Sequence, residues 1–162
     1  MPSKPPGCGS RRSVSRSRLQ PASRDTERAM SQENVEIVLE SIRRFRPSRL
    51  DEWAELWHQD TRMTIAEGWP EPGPFIGLDA VKREFERVIE SFSAVRFEDV
   101  EVVADSGDWV VATYRVPARG TVSGIESDVH FAVAYRVKDG LLIECAIRWR
   151  VEDALEAAGL SE

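Results

Sequence analysis

Between residues 126 and 150 apolar side chains recur at every second position, the period of strands buried on one face. Phe131, Val133, Tyr135 and Val137 fall on one side, and His130, Ala132, Ala134 and Arg136 on the other. Beyond the KDG turn, Ile143, Cys145, Ile147 and Trp149 continue the apolar set, opposed by Leu142, Glu144, Ala146 and Arg148. Strands near 126–138 and 141–150, with two more near 95–104 and 108–118 and turn signals such as DSGD between them, predict an antiparallel meander. Long antiparallel strands twist and coil, so the sheet is expected to be curved. Strand 108–118 alternates ambiguously. It turns either Val111, Thr113 and Arg115 to the buried side, or Val110, Ala112 and Tyr114.

Upstream the period changes to 3.6. Val35, Val38, Leu39, Ile42 and Phe45 predict a first helix, capped by Ser31 and stopped by Pro47. Ser48 is placed to cap a second, with Leu50, Trp53, Ala54 and Trp57 on one face and His58 at its end. RMTIA (62–66) reads as a short strand, and EGWPEPGPFIG as an irregular loop. Val81, Phe85, Val88, Ile89 and Phe92 mark a third helix over about 79–92. VEDALEAAGL closes the pattern as a short helix with Gly159 at its C′ position. Helices first and strands second predict an α+β fold, with the N-terminal helices packed on the concave face of the sheet. The opposite face is rich in alanine, and such a flat face can pack on a second copy of itself.

Composition narrows the function classes. No apolar run is long enough to cross a membrane as a helix. Residues 1–29 carry +5 of formal charge, which leaves −11 on residues 30–162, and so acidic a body repels nucleic-acid backbones. Cys8 and Cys145 imply no disulfide framework, and a cytoplasmic setting is expected. The leader 1–29, rich in Pro, Ser and Arg, lacks the apolar stretch of a secretory signal and is expected to be disordered and dispensable for folding. Composition changes abruptly at Met30, where translation could equally begin. The folded domain is expected over 30–162.

The order of these elements, the opening MSQENVEIV, the loop GWPEPGPFIG and the ending EDALEAAGL resemble a SnoaL-like protein of the nuclear transport factor 2-like superfamily. The resemblance implies a conical α+β fold, commonly dimeric through the outer sheet face, with a mostly apolar pocket in the open end. It also implies where catalytic groups would stand. The proton-moving aspartate of ketosteroid isomerases falls on Ile65, their tyrosine near Ser41 and their second aspartate on Val133; the acid-base aspartate of polyketide cyclases falls on Ile147. None of these positions carries the required side chain, so steroid-isomerase and standard cyclase chemistry are not expected.

What is left is a set of candidates for ligand contact: Trp53, Trp57, Tyr114, Arg115, Phe131, Tyr135, Cys145 and Trp149. Tyrosine and tryptophan combine an apolar body with a polar tip, which suits orientation of a buried ligand. Trp149 is expected to meet the loop EGWPEPGPFIG at the wide end of the cone. Cys145 has no neighbour that would lower its pKa and reads as an inert buried thiol. His58 and His130 fall on different sides, so no metal site and no cofactor are expected. The expected function is binding of a small lipophilic molecule; the alternative is a cyclase, isomerase or hydrolase that uses a non-standard acid or base.

Overall fold

The computed structural model describes residues 28–160. Helix α1 covers 28–44, followed by α2 (Leu50–Ala54), strand β1 (Trp57–Thr64) and strand β2 (Phe75–Ile76). Helix α3 (Leu78–Ser91) leads into the short strand β3 (Phe92–Ser93). The meander then runs through β4 (Glu98–Ser106), β5 (Trp109–Gly120), β6 (Glu126–Lys138) and β7 (Leu141–Arg148), and α4 (Val151–Ala157) follows. The expected leader lies outside the described residues up to 27, and Arg28, Ala29 and Met30 are the exposed first residues of α1.

All seven strands form one strongly curled sheet in the order β2-β1-β7-β6-β5-β3, with β4 also pairing β5. Its backbone is the unbroken β5–β6 ladder from Trp109↔Arg136 to Arg119↔Glu126. The sheet is antiparallel except at β1 and β7, which run parallel. Register shifts in β1–β7, β4–β5 and β6–β7 accommodate the curl, since a bulge bends the strand that carries it.

The concave face and the helices build the main core. Val110, Ala112 and Tyr114 of β5, Val133, Tyr135 and Val137 of β6, and Leu142, Cys145 and Ile147 of β7 pack with Val38, Ile42, Leu50, Trp53 and Val81 of the helices. The alternation predicted for β6 is therefore the one observed. In β7 it holds at Cys145 and Ile147 but fails before them: the shift between Arg136↔Glu144 and Val137↔Leu142 inserts one residue, so Leu142 points into the core and Ile143 does not. Trp149 lies beyond the end of β7.

Three local expectations are corrected. Ser31 is inside α1 and caps nothing; its hydroxyl bonds the Asp105 carboxylate at 2.5 Å. The second helix is a single short turn with no side-chain cap at Arg49, and Trp57 with His58 belongs to β1, because the edge of β7 takes the backbone there: the Leu142 N–H donates to the Leu56 carbonyl at 2.9 Å. Phe92 leaves the helix with extended backbone and is exposed.

The alanine-rich outer face has an occupant within the chain. Val111, Ala132, Ala134 and Ala146 pack against Ala154 and Ala158 of the α4 segment. That segment ends as predicted: Gly159, at φ +73°, donates to Glu156, and Leu160 donates to Leu155 at 2.8 Å, the paired bonds of a Schellman motif. Ala134 has no exposed surface. Ala134→Glu is expected to lower unfolding free energy by about 3 kcal/mol, because it places an unpaired carboxylate under α4 or lifts the helix off. Urea unfolding beside the exposed control Glu156→Ala checks this; unchanged stability would show that α4 does not cover the sheet.

Candidate functional site

Towards the wide end of the cone the side chains of the sheet and helices stop short of meeting. A cavity of about 70 Å³ is left between β1, β5, β6 and β7 on one side and Phe45, α3 and the segment 95–97 on the other. Met63, Ile65, Phe85, Val88, Phe97, Val116, Phe131 and Ile147 make its wall apolar. A second void of about 20 Å³ lies deeper, lined by Ser41, Trp53, Trp57, Tyr135 and Cys145. Phe45, Phe85, Phe97, Tyr114 and Ile147 border both, so the two spaces are neighbours across one layer of side chains.

The predicted candidates divide three ways. Tyr114 and Phe131 line the larger cavity, and Trp53, Trp57, Tyr135 and Cys145 line the deeper void. Trp149 stands at the rim, 42% exposed, stacked on Phe131 at 5.3 Å and 22°, and its indole N–H donates to the Glu67 carbonyl at 2.9 Å. The expected meeting of Trp149 with the loop is thus present, but on the outer side of Phe131. Arg115 is on the other face of the sheet altogether. Val110, Ala112 and Tyr114 take the inward positions of β5, and Arg115 binds Glu98, Asp99 and Asp128 at 2.8, 3.0 and 2.8 Å. It supplies no charge to the cavity.

Two hydrogen-bonded polar features sit in this apolar setting, beside the unpartnered Trp57 indole N–H of the deeper void. The Tyr114 and Tyr135 hydroxyls lie 3.0 Å apart. In such a pair one phenol donates to the other, which leaves one O–H proton for a further acceptor. Burial pushes both phenols well above their ordinary pKa, so both stay neutral donors. Burial likewise pushes the Cys145 thiol far up, which removes the thiolate that reactivity requires.

The second feature was not singled out in the sequence. Glu84 of α3 is 5% exposed and lines the larger cavity. Its Oε1 accepts from Arg87 Nε at 2.8 Å, and its Oε2 from Arg87 Nη2 at 2.6 Å and from the Trp69 indole N–H at 2.8 Å. Burial alone raises this carboxyl, but the bonds from Arg87 and Trp69 outweigh it and hold the group below the ordinary carboxylate range. The signal was its spacing. Glu84 falls three residues after Val81 and four before Val88, inside the apolar stripe of α3 rather than opposite it.

Positions that the family resemblance ties to catalysis are present as wall. Ile65 and Ile147 both line the cavity and Ser41 the deeper void, while Val133 is core. His58 faces away, its Nδ1 accepting the Asp60 backbone N–H at 2.9 Å. Among the described residues no group of His, Cys, Asp and Glu is arranged to hold a metal ion, and no helix is long and apolar enough to cross a membrane.

The Glu84 network has a pH signature. A carboxyl lowered on folding contributes stability that is complete above its unfolded value near 4.5 and is lost as pH falls through the lower folded value. Glu84→Gln should cost about 1–3 kcal/mol at pH 7, since Arg87 and Trp69 lose a charged acceptor. The gap to wild type should narrow as pH falls below 4.5. Denaturant unfolding across that range checks it, and a gap that does not change with pH would mean the carboxylate is not ionised in the fold.

Comparison with known proteins agrees with this architecture. The SnoaL-like domain family matches residues 38–145. A provisionally assigned polyketide cyclase from Xanthomonas campestris superposes with a TM-score of 0.64 at 19% identity, covering 76% of this chain and 94% of that one. A nuclear transport factor 2-like protein of unknown function from Burkholderia pseudomallei gives 0.64 at 19%, covering 76% and 95%. A provisionally assigned isomerase from Bacillus subtilis gives 0.64 at 16%, covering 80% and 95%. Among curated proteins none matches the sequence. With its matched family spanning most of the folded part and its curled sheet closed by N-terminal helices, the chain belongs to the SnoaL-like domain family of the nuclear transport factor 2-like fold.

Proposed function

We propose that this SnoaL-like domain binds a small lipophilic molecule in the cavity between its curled sheet and its helices. The observation that carries the reading is an apolar hollow with one phenol, Tyr114, in its wall, hydrogen-bonded to Tyr135 behind it, the usual composition of a small-molecule site. A packed core has no use for such a hollow, because unfilled volume forfeits contact energy. In this reading Phe131 supplies ring area, and Tyr114, backed by Tyr135, donates to an oxygen of the ligand. A cytoplasmic setting is part of the same proposal.

One observation favours catalysis as a second reading: Glu84 is a carboxylate in the same cavity as the Tyr114 phenol. A cyclase-, isomerase- or hydrolase-type reaction would use Glu84 as base and Tyr114 as donor to a developing oxyanion. Three hydrogen bonds and lowered basicity make Glu84 a weak base, so binding is the stronger reading.

Thermal-shift screening of lipophilic compounds, with mass-spectrometric analysis of each hit for turnover, separates the two. Hits are expected to lose about 2–4 kcal/mol of binding in Phe131→Ala and little in Arg115→Ala, which sits on the outer face. Unfolding free energies must accompany these values, since Phe→Ala in plain core also costs about 3–5 kcal/mol of stability. A wild-type melting point unmoved by every compound, with Phe131→Ala only destabilised, would sink the binding reading.

We further propose a homodimer through the part of the outer sheet face that α4 leaves open, around Thr113, Arg115 and His130. Arg115↔His130 is a register pair there, and a groove of about 260 Å³ runs from it to Trp149. Light scattering should give a dimer for the wild type and a monomer for His130→Glu, which sets a new carboxylate beside Asp128. A monomeric wild type at micromolar concentration refutes the interface.

A further inference from the structure

We propose that Glu84 is a ligand subsite for an N–H or O–H donor, and that the Trp69 indole is a plug which the ligand displaces to reach it; this rests on the cavity reading above. The cavity is small. About 70 Å³ is far below the several hundred Å³ of a typical ligand pocket, so a ring-sized molecule needs space that a side chain now fills. Trp69 is the side chain placed to yield it. Its ring is only half-buried, it forms part of the cavity wall, and it belongs to the irregular loop between β1 and β2.

The loop is lightly held at this point. The Trp69 backbone N–H reaches Ala66 at a long 3.4 Å, Trp149 holds the Glu67 carbonyl, and the Trp69 indole holds Glu84. Gly68, next to Trp69, has φ +91°, and a Cβ there would meet nothing within 4 Å, so the backbone turns in open space. Moving Trp69 outward breaks its charged hydrogen bond to Glu84 and its ring contacts with Phe131 and Trp149, at 6.0 and 6.2 Å.

The vacated position has a defined chemistry. A carboxylate only accepts, and Arg87 satisfies both Glu84 oxygens from the half-exposed side. On the cavity side Oε2 is also met by an aromatic N–H, so a molecule that replaces the indole without a donor leaves this buried oxygen with Arg87 alone and loses one charged hydrogen bond. A flat aromatic or conjugated molecule with an indole- or phenol-like N–H or O–H meets that demand, with Phe131 against its ring.

Indole and 1-methylindole, which differ in the N–H alone, are suitable probes, read by isothermal titration. Trp69→Ala opens the site and is expected to bind indole about 10-fold tighter than wild type and about 10-fold tighter than it binds 1-methylindole, the worth of one hydrogen bond to a charged acceptor. In Trp69→Ala/Glu84→Met that preference should vanish while both probes still bind. Trp69→Phe keeps the ring without the donor; it should bind indole more tightly than wild type, and it decides the matter if Trp69→Ala gives no cooperative melt. Equal affinity of a folded Trp69 variant and wild type for indole, or equal affinity of Trp69→Ala for the two probes, overturns the subsite. If lipophilic compounds still shift the wild-type melting point, only the subsite falls; if nothing binds any form, the cavity reading falls with it.

Discussion

The inner sides of β5 and β6 carry Val110, Ala112, Tyr114, Val133, Tyr135 and Val137 on a surface that curls, and every one of these side chains must be covered by something other than water. Curling makes the concave face converge at one end and spread at the other. At the converging end Trp53, Trp57 and Phe85 reach across, with Trp53 4.8 Å from Phe85 and 5.0 Å from Trp57, and only about 20 Å³ is left. At the spreading end the same helices no longer reach. The cavity is there because a curved sheet and straight helices separate along their length, and the loop carrying Trp69 closes what the helices cannot.

Placing polar groups in such a space is costly unless each is satisfied, and the two polar features meet that demand differently. Tyr114 and Tyr135 share one hydrogen bond and remain neutral, so their pairing survives in a dry cavity and leaves one O–H proton to offer. Glu84 is charged and depends on partners that come from two elements, Arg87 one turn along α3 and Trp69 from the loop. The first device is rigid, since both phenols stand on adjacent strands of the long ladder. The second links the helix to a loop and holds only while the loop is in place.

How far the sequence reveals this depends on the range of the interaction. The alternation of β6 and the ending of α4 at Gly159 are legible, because period and cap are set by neighbouring residues. Leu142 against Ile143 is not: a bulge adds one residue on one strand, and its position depends on how β7 meets β6. Trp57 keeps helical spacing with Trp53 and still joins β1, since tertiary pairing to β7 overrides a single turn of helix. Arg115 and Tyr114 were symmetric choices until β4 supplied Glu98 and Asp99 on the outer side. Glu84 had a readable spacing, but a charge inside an apolar stripe is convincing only once Arg87 and Trp69 are seen to hold it.

The same distinction separates recognition from catalysis at this site. Proton transfer at neutral pH is served by a group whose affinity for the proton is raised towards the working pH, and burial would do this for a lone carboxyl. Glu84 is buried yet moved the other way, because Arg87 and Trp69 stabilise its anion more than burial destabilises it. Tyr114, Tyr135 and Cys145 are moved upward, away from any useful ionised form. Each titratable group lining the two spaces is thus fixed in one protonation state across the physiological range, a fixed donor or a fixed acceptor. Ile65 and Ile147, where the family resemblance would put a carboxylate, extend the pattern by offering no proton site at all. For the binding function proposed above, a cavity built this way would select a molecule by where its hydrogen-bonding atoms lie.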